Sequence, residues 1–341
     1  MKDPAELFVK NKNGDSFFAE FVFPLIKNTH VTNENILHKN KMQIKKEFIP
    51  DEQRLKFPGS EWLYIKLYGM SQRVEEFLYN GFCKLSEEAK ENGWAEQAFF
   101  IRYIDEVPHI RIRLKGDPDL LVTQGFPSIY KWANTMKEDG LLNRMVIDTY
   151  DPEIERYGGP KLIGNAEAFF SKDSEVVAQY LGLRRFQRFD ISEELFGAIS
   201  IIDILEAFSF SFREQLDWLN ESVNYKDYKE EFKQLKPQLL RYGNTNDNWS
   251  SLQMDENGQT ISSLLNIRRE TLGRYADSVK EANQQGLLTN HIDDLIGSVI
   301  HMHINRLIGV DRTRETKIIT LARHTLYNLR YQKEKQKQWM S

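Results

Sequence analysis

The chain has 341 residues, 40% of them hydrophobic and 12% aromatic, with a formal net charge of −4 and a pI near 6.1. That is ample material for a buried core in about two domains, or one large domain with an extension, and it excludes a disordered or fibrous chain. The mild acidity argues against a general nucleic-acid or anionic-membrane binder while permitting a local basic pocket.

Residues 1–60 read as an arm. MKDPAELF lacks the basic-then-apolar pattern of a signal peptide, and no apolar run approaches the roughly 18 residues of a membrane span, so a cytoplasmic location is expected. Ser16–Ile26, SFFAEFVFPLI, is apolar and aromatic enough for one buried or paired strand. One strand followed by a long polar connection does not make a domain, so this arm is expected to pack on the main body or on a partner. His30 and His38 in the connection are read as solvated.

From Glu61 the pattern becomes regular. WLYIKLY (Trp62–Tyr68) reads as a strand, and Ser71 as the N-cap of a helix through Val74, Phe77, Leu78, Phe82 and Leu85, ending near Asn92-Gly93. Cys83 lies on that helix as a small core residue; as the single cysteine it excludes an intrachain disulfide and a Cys-rich zinc site. AFFIRYI and HIRIRL follow as two strands joined by a tight Pro-containing turn. Asp119 begins a second helix through Trp132 and Met136, and RMVIDTY (Arg144–Tyr150) is a last strand. The order β-α-β-β-α-β is the split-βαβ, ferredoxin-like arrangement, which places the third strand centrally. Beyond Asp151 the spacing is helical almost throughout, as in NAEAFFSKDSEVVAQYLG, EELFGAISIIDILEAFSFSFREQLDWL and HIDDLIGSVIHMHINRLIG. KEKQKQ near the end reads as a solvated helix terminus. The expected fold class is α+β: a strand-containing arm over 1–60, a ferredoxin-like sheet unit over 61–160 and a mostly helical part over 161–341.

Three clusters carry possible chemistry. Strand alternation sends Arg111 and Arg113 to one face, with Ile110, Ile112 and Leu114 on the other. Two guanidiniums about 7 Å apart repel and lose hydration when covered, which favours an anionic ligand, although solvation or acids elsewhere in the chain would also serve. A planar guanidinium fork matches a carboxylate bidentately. The second cluster is Glu153-Ile-Glu155-Arg156-Tyr157-Gly158-Gly159, where the glycines permit an unusual turn and Glu153 and Arg156 can pair locally. The third is His301-Met-His303-Ile-Asn305-Arg306 on a helix, with His301 and Asn305 sharing a face and His303 pointing nearly opposite. Two helical histidines two apart cannot chelate one metal, and no HExxH, phosphate loop, dinucleotide fingerprint or nucleophile elbow is present. Neither a metal nor a cofactor is expected.

Taken together, GSEWLYIKLYG, AFFIRYIDEVPHIRIRLKG, TYDPEIERYGG and SVIHMHINRLIG, in this order, resemble the C-terminal elimination domain of class I lantibiotic dehydratases and the stand-alone thiopeptide-type bacteriocin biosynthesis proteins. The resemblance runs from about Phe57 to the C-terminus, and the lead-in resembles the tail of the preceding glutamylation domain. It implies removal of glutamate from glutamylated Ser or Thr of a precursor peptide, giving dehydroalanine or dehydrobutyrine. It also implies a separate glutamyl-tRNA-dependent glutamylation subunit as partner, without direct nucleic-acid contact by this chain. A homodimer is left open, since full-length members act as dimers.

By the resemblance, Arg111, Arg113 and Arg156 fall on the family's essential arginines, for glutamate binding and charge stabilisation. His301 falls on its acid/base position, with the direction of proton transfer left open. Glu153 and Arg306 fall on other active-site positions, Glu153 orienting an arginine. His109 and Arg102 take structural roles. Two alternatives follow from the same resemblance: a [4+2] pyridine synthase, whose members tend to lose these arginines, and a non-catalytic scaffold subunit.

Overall fold

In the computed structural model of the chain, four runs rich in β-branched and aromatic residues make one antiparallel sheet: β1 (Trp62–Tyr68), β2 (Gln97–Ile104), β3 (Pro108–Lys115) and β4 (Arg144–Asp148). Their spatial order is β2-β3-β1-β4, so β3 lies inside the sheet between β1 and β2. The register sets Tyr64 and Phe99 on either side of Arg113, and Lys66 and Ile101 on either side of Arg111. These residues share one face because side chains alternate along each strand. The opposite face carries Leu63, Ile65, Leu67, Ile110, Ile112 and Leu114, all buried. That face is covered by the connecting helices α1 (Cys83–Glu91) and α2 (Phe126–Glu138) with the helical turns leading into them.

The structure describes residues 49–339 except 187–188, 209–210 and 246, together with the pairs 9–10 and 16–17; side chains beyond 330 are outside the description. Contacts divide the chain into Met1–Met42 and Gln43–Ser341. In the first unit Val9–Lys10 pairs antiparallel with Ser16–Phe17. The remainder of the anticipated Ser16–Ile26 strand falls outside the described residues. Residues 49–60, grouped above with the arm, join the sheet unit: the backbone of Lys56 pairs with Tyr150, and Arg54 bonds Glu155.

Two helix starts differ from expectation. Ser71 caps nothing; Gly69 (φ 116°) and Ser71 (φ 47°) reverse the chain out of β1, and a single 3₁₀ turn precedes the helix at Val74. The second helix is capped by Asp117 rather than begun at Asp119, the Asp117 carboxylate accepting from the backbone N–H of Asp119 and Leu120.

The helical part comprises α3 (Ile163–Arg185), α4 (Glu193–Ala207), α5 (Phe212–Ser222), α6 (Lys229–Tyr242), α7 (Glu256–Gln284), α8 (Ile292–Ile308) and α9 (Arg312–Trp339). The long apolar run from Glu193 is two helices, because Ser211 and Glu214 form a reciprocal capping box that starts α5.

Helices α3, α4, α7 and α8 meet around a buried ionic cluster. Arg268 donates to Asp173 at 2.6 Å and to Asp203 at 2.9 Å, while Arg306 (3.2 Å) and His303 (2.8 Å) also reach Asp173. Burial alone would raise the Asp173 carboxyl, but His303, Arg268 and Arg306 hold it well below the usual carboxylate range. Burial lowers the His303 pKa, and the two guanidiniums push the same way against Asp173. Replacing Arg268 by Met removes the cation shared by two buried carboxylates. We expect this substitution to cost about 3–5 kcal/mol in urea unfolding, the penalty for an uncompensated buried charge.

Candidate active site

On the polar face of the sheet, β2, β3, the turn after β4 and the end of α8 enclose a cavity of about 530 Å³. Arg111, Arg113, Glu153, Arg156, His301 and Arg306 all line it. Three separate stretches of sequence therefore bring every anticipated site residue to one place.

Arg113 sits in an aromatic box. Its guanidinium carbon lies 4.6 Å from the Tyr64 ring centre, 4.8 Å from Tyr150 and 5.3 Å from Phe99. Arg111 stacks on Tyr103 at 3.3 Å and donates from Nε to His109 Nε2 at 3.1 Å. Repulsion between guanidiniums about 7 Å apart is of the order of 2 kcal/mol at an effective dielectric near 20. Desolvated cation–π contacts of about 1–2 kcal/mol each are enough to offset it. Among the described residues no carboxylate lies within ion-pair distance of Arg111 or Arg113, and Nε of buried Arg113 has no hydrogen-bond partner.

Arg156 is presented by the turn Ile154–Tyr157, which Gly158 (φ 100°) and Gly159 (φ 115°) close in the left-handed region. A Cβ on Gly158 would come within 2.6 Å of Leu162 Cδ1, so a larger residue would have to displace that side chain as well as strain φ. Nη1 of Arg156 donates to both Glu153 oxygens at 3.0 Å, and Nε donates to Ser298 Oγ on α8 at 3.0 Å. Glu153 therefore pairs with Arg156 across one turn. Arg306 is fully buried, donating from Nε to the Phe100 carbonyl (3.1 Å) and from Nη1 to Asp173, with Nη2 unpartnered among the described residues. Burial lowers its pKa, and Asp173 opposes that shift.

His301 points into the cavity with Nδ1 2.8 Å from Glu315 Oε1. Glu315 in turn accepts from Arg312 at 3.0 Å. Arg312 Nη1 also lies 3.3 Å from His301 Nδ1; in the tautomer that donates Nδ1–H to Glu315, Nε2 carries the ring's lone pair. Glu315, near the start of α9, was missed by sequence reasoning, because nothing in the spacing says which acid meets the histidine. The aromatic wall was more accessible: alternation on β2 puts Phe99, Ile101 and Tyr103 on the face of the strand arginines.

His109 and Arg102 brace the site. His109 stacks on Tyr68 (4.6 Å between ring centres) and its Nδ1 contacts the Val107 carbonyl. Arg102, lowered to about 10 by burial, donates to the Leu307 carbonyl at the end of α8. Burial pushes the Cys83 thiol up to about 12, which disfavours the thiolate form. Among the described residues no group of three His, Cys, Asp or Glu side chains is arranged to hold a metal.

Beneath Arg113, the Tyr150 hydroxyl donates to buried Glu167 at 2.8 Å. Burial raises the Glu167 carboxyl to about 7, although Tyr150, Lys115 and Arg113 pull it down. The protonated acid is therefore the form the fold favours. Its contribution to stability is full below the ordinary value of 4.5 and is lost as pH rises through about 7. Glu167→Gln retains an acceptor for Tyr150 and abolishes this titration. In urea unfolding, wild type should lose on the order of 1–3 kcal/mol relative to the Gln variant between pH 4.5 and pH 8.5.

Residues 62–326 match the family described as lantibiotic biosynthesis dehydratase C-term. Over 280 residues the chain is 36% identical to the subtilin biosynthesis protein SpaB of Bacillus subtilis, covering 82% of this chain and 27% of that protein. It is 27% identical over 325 residues to the nisin biosynthesis protein NisB of Lactococcus lactis subsp. lactis, covering 95% of this chain and 30% of that one. Among solved structures, the tRNA dependent lantibiotic dehydratase MibB from Microbispora sp. 107891 superposes with a TM-score of 0.74 at 25% identity, over 84% of this chain and 29% of that chain. The pyridine synthase TbtD from thiomuracin biosynthesis shares the fold at a TM-score of 0.52 and 14% identity, over 79% of this chain and 99% of that one. The chain spans less than a third of the length of the curated relatives it matches.

Proposed function

The chain belongs to the lantibiotic biosynthesis dehydratase C-terminal family, and from that premise we propose that it eliminates glutamate from glutamylated Ser and Thr residues of a ribosomal precursor peptide. The products are dehydroalanine and dehydrobutyrine, and the reaction is the lyase half of a dehydration. The observation that supports this reading is the convergence on one cavity of Arg111, Arg113, Arg156, Arg306 and His301, with the two strand arginines free of carboxylate partners among the described residues. A glutamyl ester brings the anion that these guanidiniums lack.

In this mechanism Nε2 of His301 takes the Cα proton while Glu315 holds Nδ1–H and stabilises the imidazolium that forms. The electron pair left at Cα forms the Cα=Cβ bond, and the Cβ–O bond breaks toward oxygen. Glutamate departs as a carboxylate. Arg113 and Arg306 have buried N–H groups available to the developing negative charge on the departing ester carboxyl, and Arg111 and Arg156 hold the one free carboxylate of the glutamyl group. A glutamylation activity that installs glutamate from glutamyl-tRNA belongs to the same reading, because the cavity acts on an ester already formed. We also read the strand order and its two connecting helices as the ferredoxin-like unit.

Incubation of the protein with a glutamylated precursor peptide tests the proposal by intact mass, each site losing one glutamic acid. Unchanged mass with the wild-type protein would contradict it. Arg113→Ala and His301→Ala should each slow the loss at least about 100-fold while circular dichroism stays unchanged. Arg113→Lys should recover little, since an ammonium cannot reproduce the stacked, forked geometry.

A further inference from the structure

A second cavity, of about 710 Å³, adjoins the first at the end of the sheet. Arg102, Tyr103, Ile104, Gly309 and Val310 line both. The walls of the second are largely apolar: Met70 and Val74 after β1, Ile104 and Val107 beside the β2–β3 turn, and Val310 after α8. Ile104, Val107 and Val310 are each about half exposed, at 50%, 50% and 52%.

The edge of β2 is open at the same point. Outward N–H groups along the strand are met by side chains, those of Ala98 and Phe100 by Ser171 and Ser174 and that of Arg102 by Asn305. The next outward position at period two is Ile104. There the cover from α8 stops, since the helix ends at Ile308 and Gly309 (φ 84°) turns the chain away. Among the described residues no side chain closes the edge at Ile104. An exposed strand edge beside an apolar cavity is the arrangement that receives an extended peptide, with main-chain bonds to the edge and alternate side chains in the cavity.

We propose that this second cavity is a subsite for the precursor peptide, holding an aliphatic or aromatic side chain one or two residues from the modified Ser or Thr while the peptide backbone lies along β2 at Ile104. The proposal rests on the elimination reading above. Spacing agrees with it, because one or two residues of extended chain span about 3–7 Å and the two cavities share walls. Charge agrees as well: Arg102 and Arg144 at the rim disfavour a basic neighbour, so an apolar side chain beside an anionic ester is the complementary pattern.

Two glutamylated peptides, identical except for Leu or isosteric Asn next to the modified Ser, provide the test in steady-state elimination assays. The Leu peptide should show about 10-fold higher kcat/KM, carried by KM, as expected for burying one aliphatic side chain. Val107→Asp should narrow that ratio below about threefold. Equal kcat/KM for the two peptides with active wild-type protein, or an unchanged ratio in Val107→Asp, would overturn the subsite while leaving elimination in place. No turnover of either peptide would instead overturn the elimination reading and the subsite with it. Sedimentation that converts a dimer to a monomer on Val107→Asp would assign this face to a second copy of the chain and overturn the proposal.

Discussion

Asn305 does for the edge of the sheet what a neighbouring strand would do. Its side-chain oxygen accepts from the Arg102 N–H at 3.0 Å, and its amide donates to the Arg102 carbonyl at 2.9 Å. The next residue, Arg306, donates to the Phe100 carbonyl, and Arg102 returns a bond to the Leu307 carbonyl. Four hydrogen bonds thus stitch the last turn of α8 to β2 and satisfy backbone groups that burial would otherwise leave unpaired. With that turn fixed, His301, one turn earlier on the same face as Asn305, is directed toward the arginines of β3. The Asp173 cluster holds the other side of α8 through His303 and Arg306.

Concentrating arginines around one cavity has a cost that this fold meets without ligand. The acids of the lining are already engaged: Glu153 with Arg156, Glu315 with His301 and Arg312, Asp151 with Arg54, and Asp311 with the backbone N–H of Arg314. Arg111 and Arg113 lean instead on Tyr103, Tyr64, Phe99 and Tyr150, whose ring faces replace water without consuming the N–H donors. Donors held in place before substrate arrives need little reorganisation as charge develops, which is how a fixed array of N–H groups lowers a barrier. Glu167, whose carboxyl burial pushes up to about 7, supports this floor from below Tyr150 with less negative charge than an ordinary carboxylate would bring.

Much of this was legible in the chain. Period-two alternation placed Arg111 and Arg113 together, and helical spacing put His301 with Asn305 and turned His303 away; the structure shows His303 buried against Asp173. The buried cluster left a signal that was passed over. Arg268 falls on the stripe formed by Ile261, Leu264, Leu265, Leu272 and Tyr275, and Asp173 on that of Ala166, Phe169, Phe170, Val176 and Val177. A charge on an apolar stripe calls for a buried partner. The pairing of Glu315 with His301 left no such trace, since it depends on the turn between α8 and α9. Ser71 misled because a residue common at N-caps occupies a left-handed turn instead.

Elimination and simple hydrolysis of the ester would both release glutamate, but only elimination leaves a Cα=Cβ bond in the peptide. Single-turnover reaction of a peptide carrying isotopically labelled glutamyl-Ser, followed by NMR, separates the two outcomes. Elimination yields one free glutamate and one set of vinyl proton signals per modified residue. Free glutamate appearing with restored Ser and no vinyl signals would contradict it.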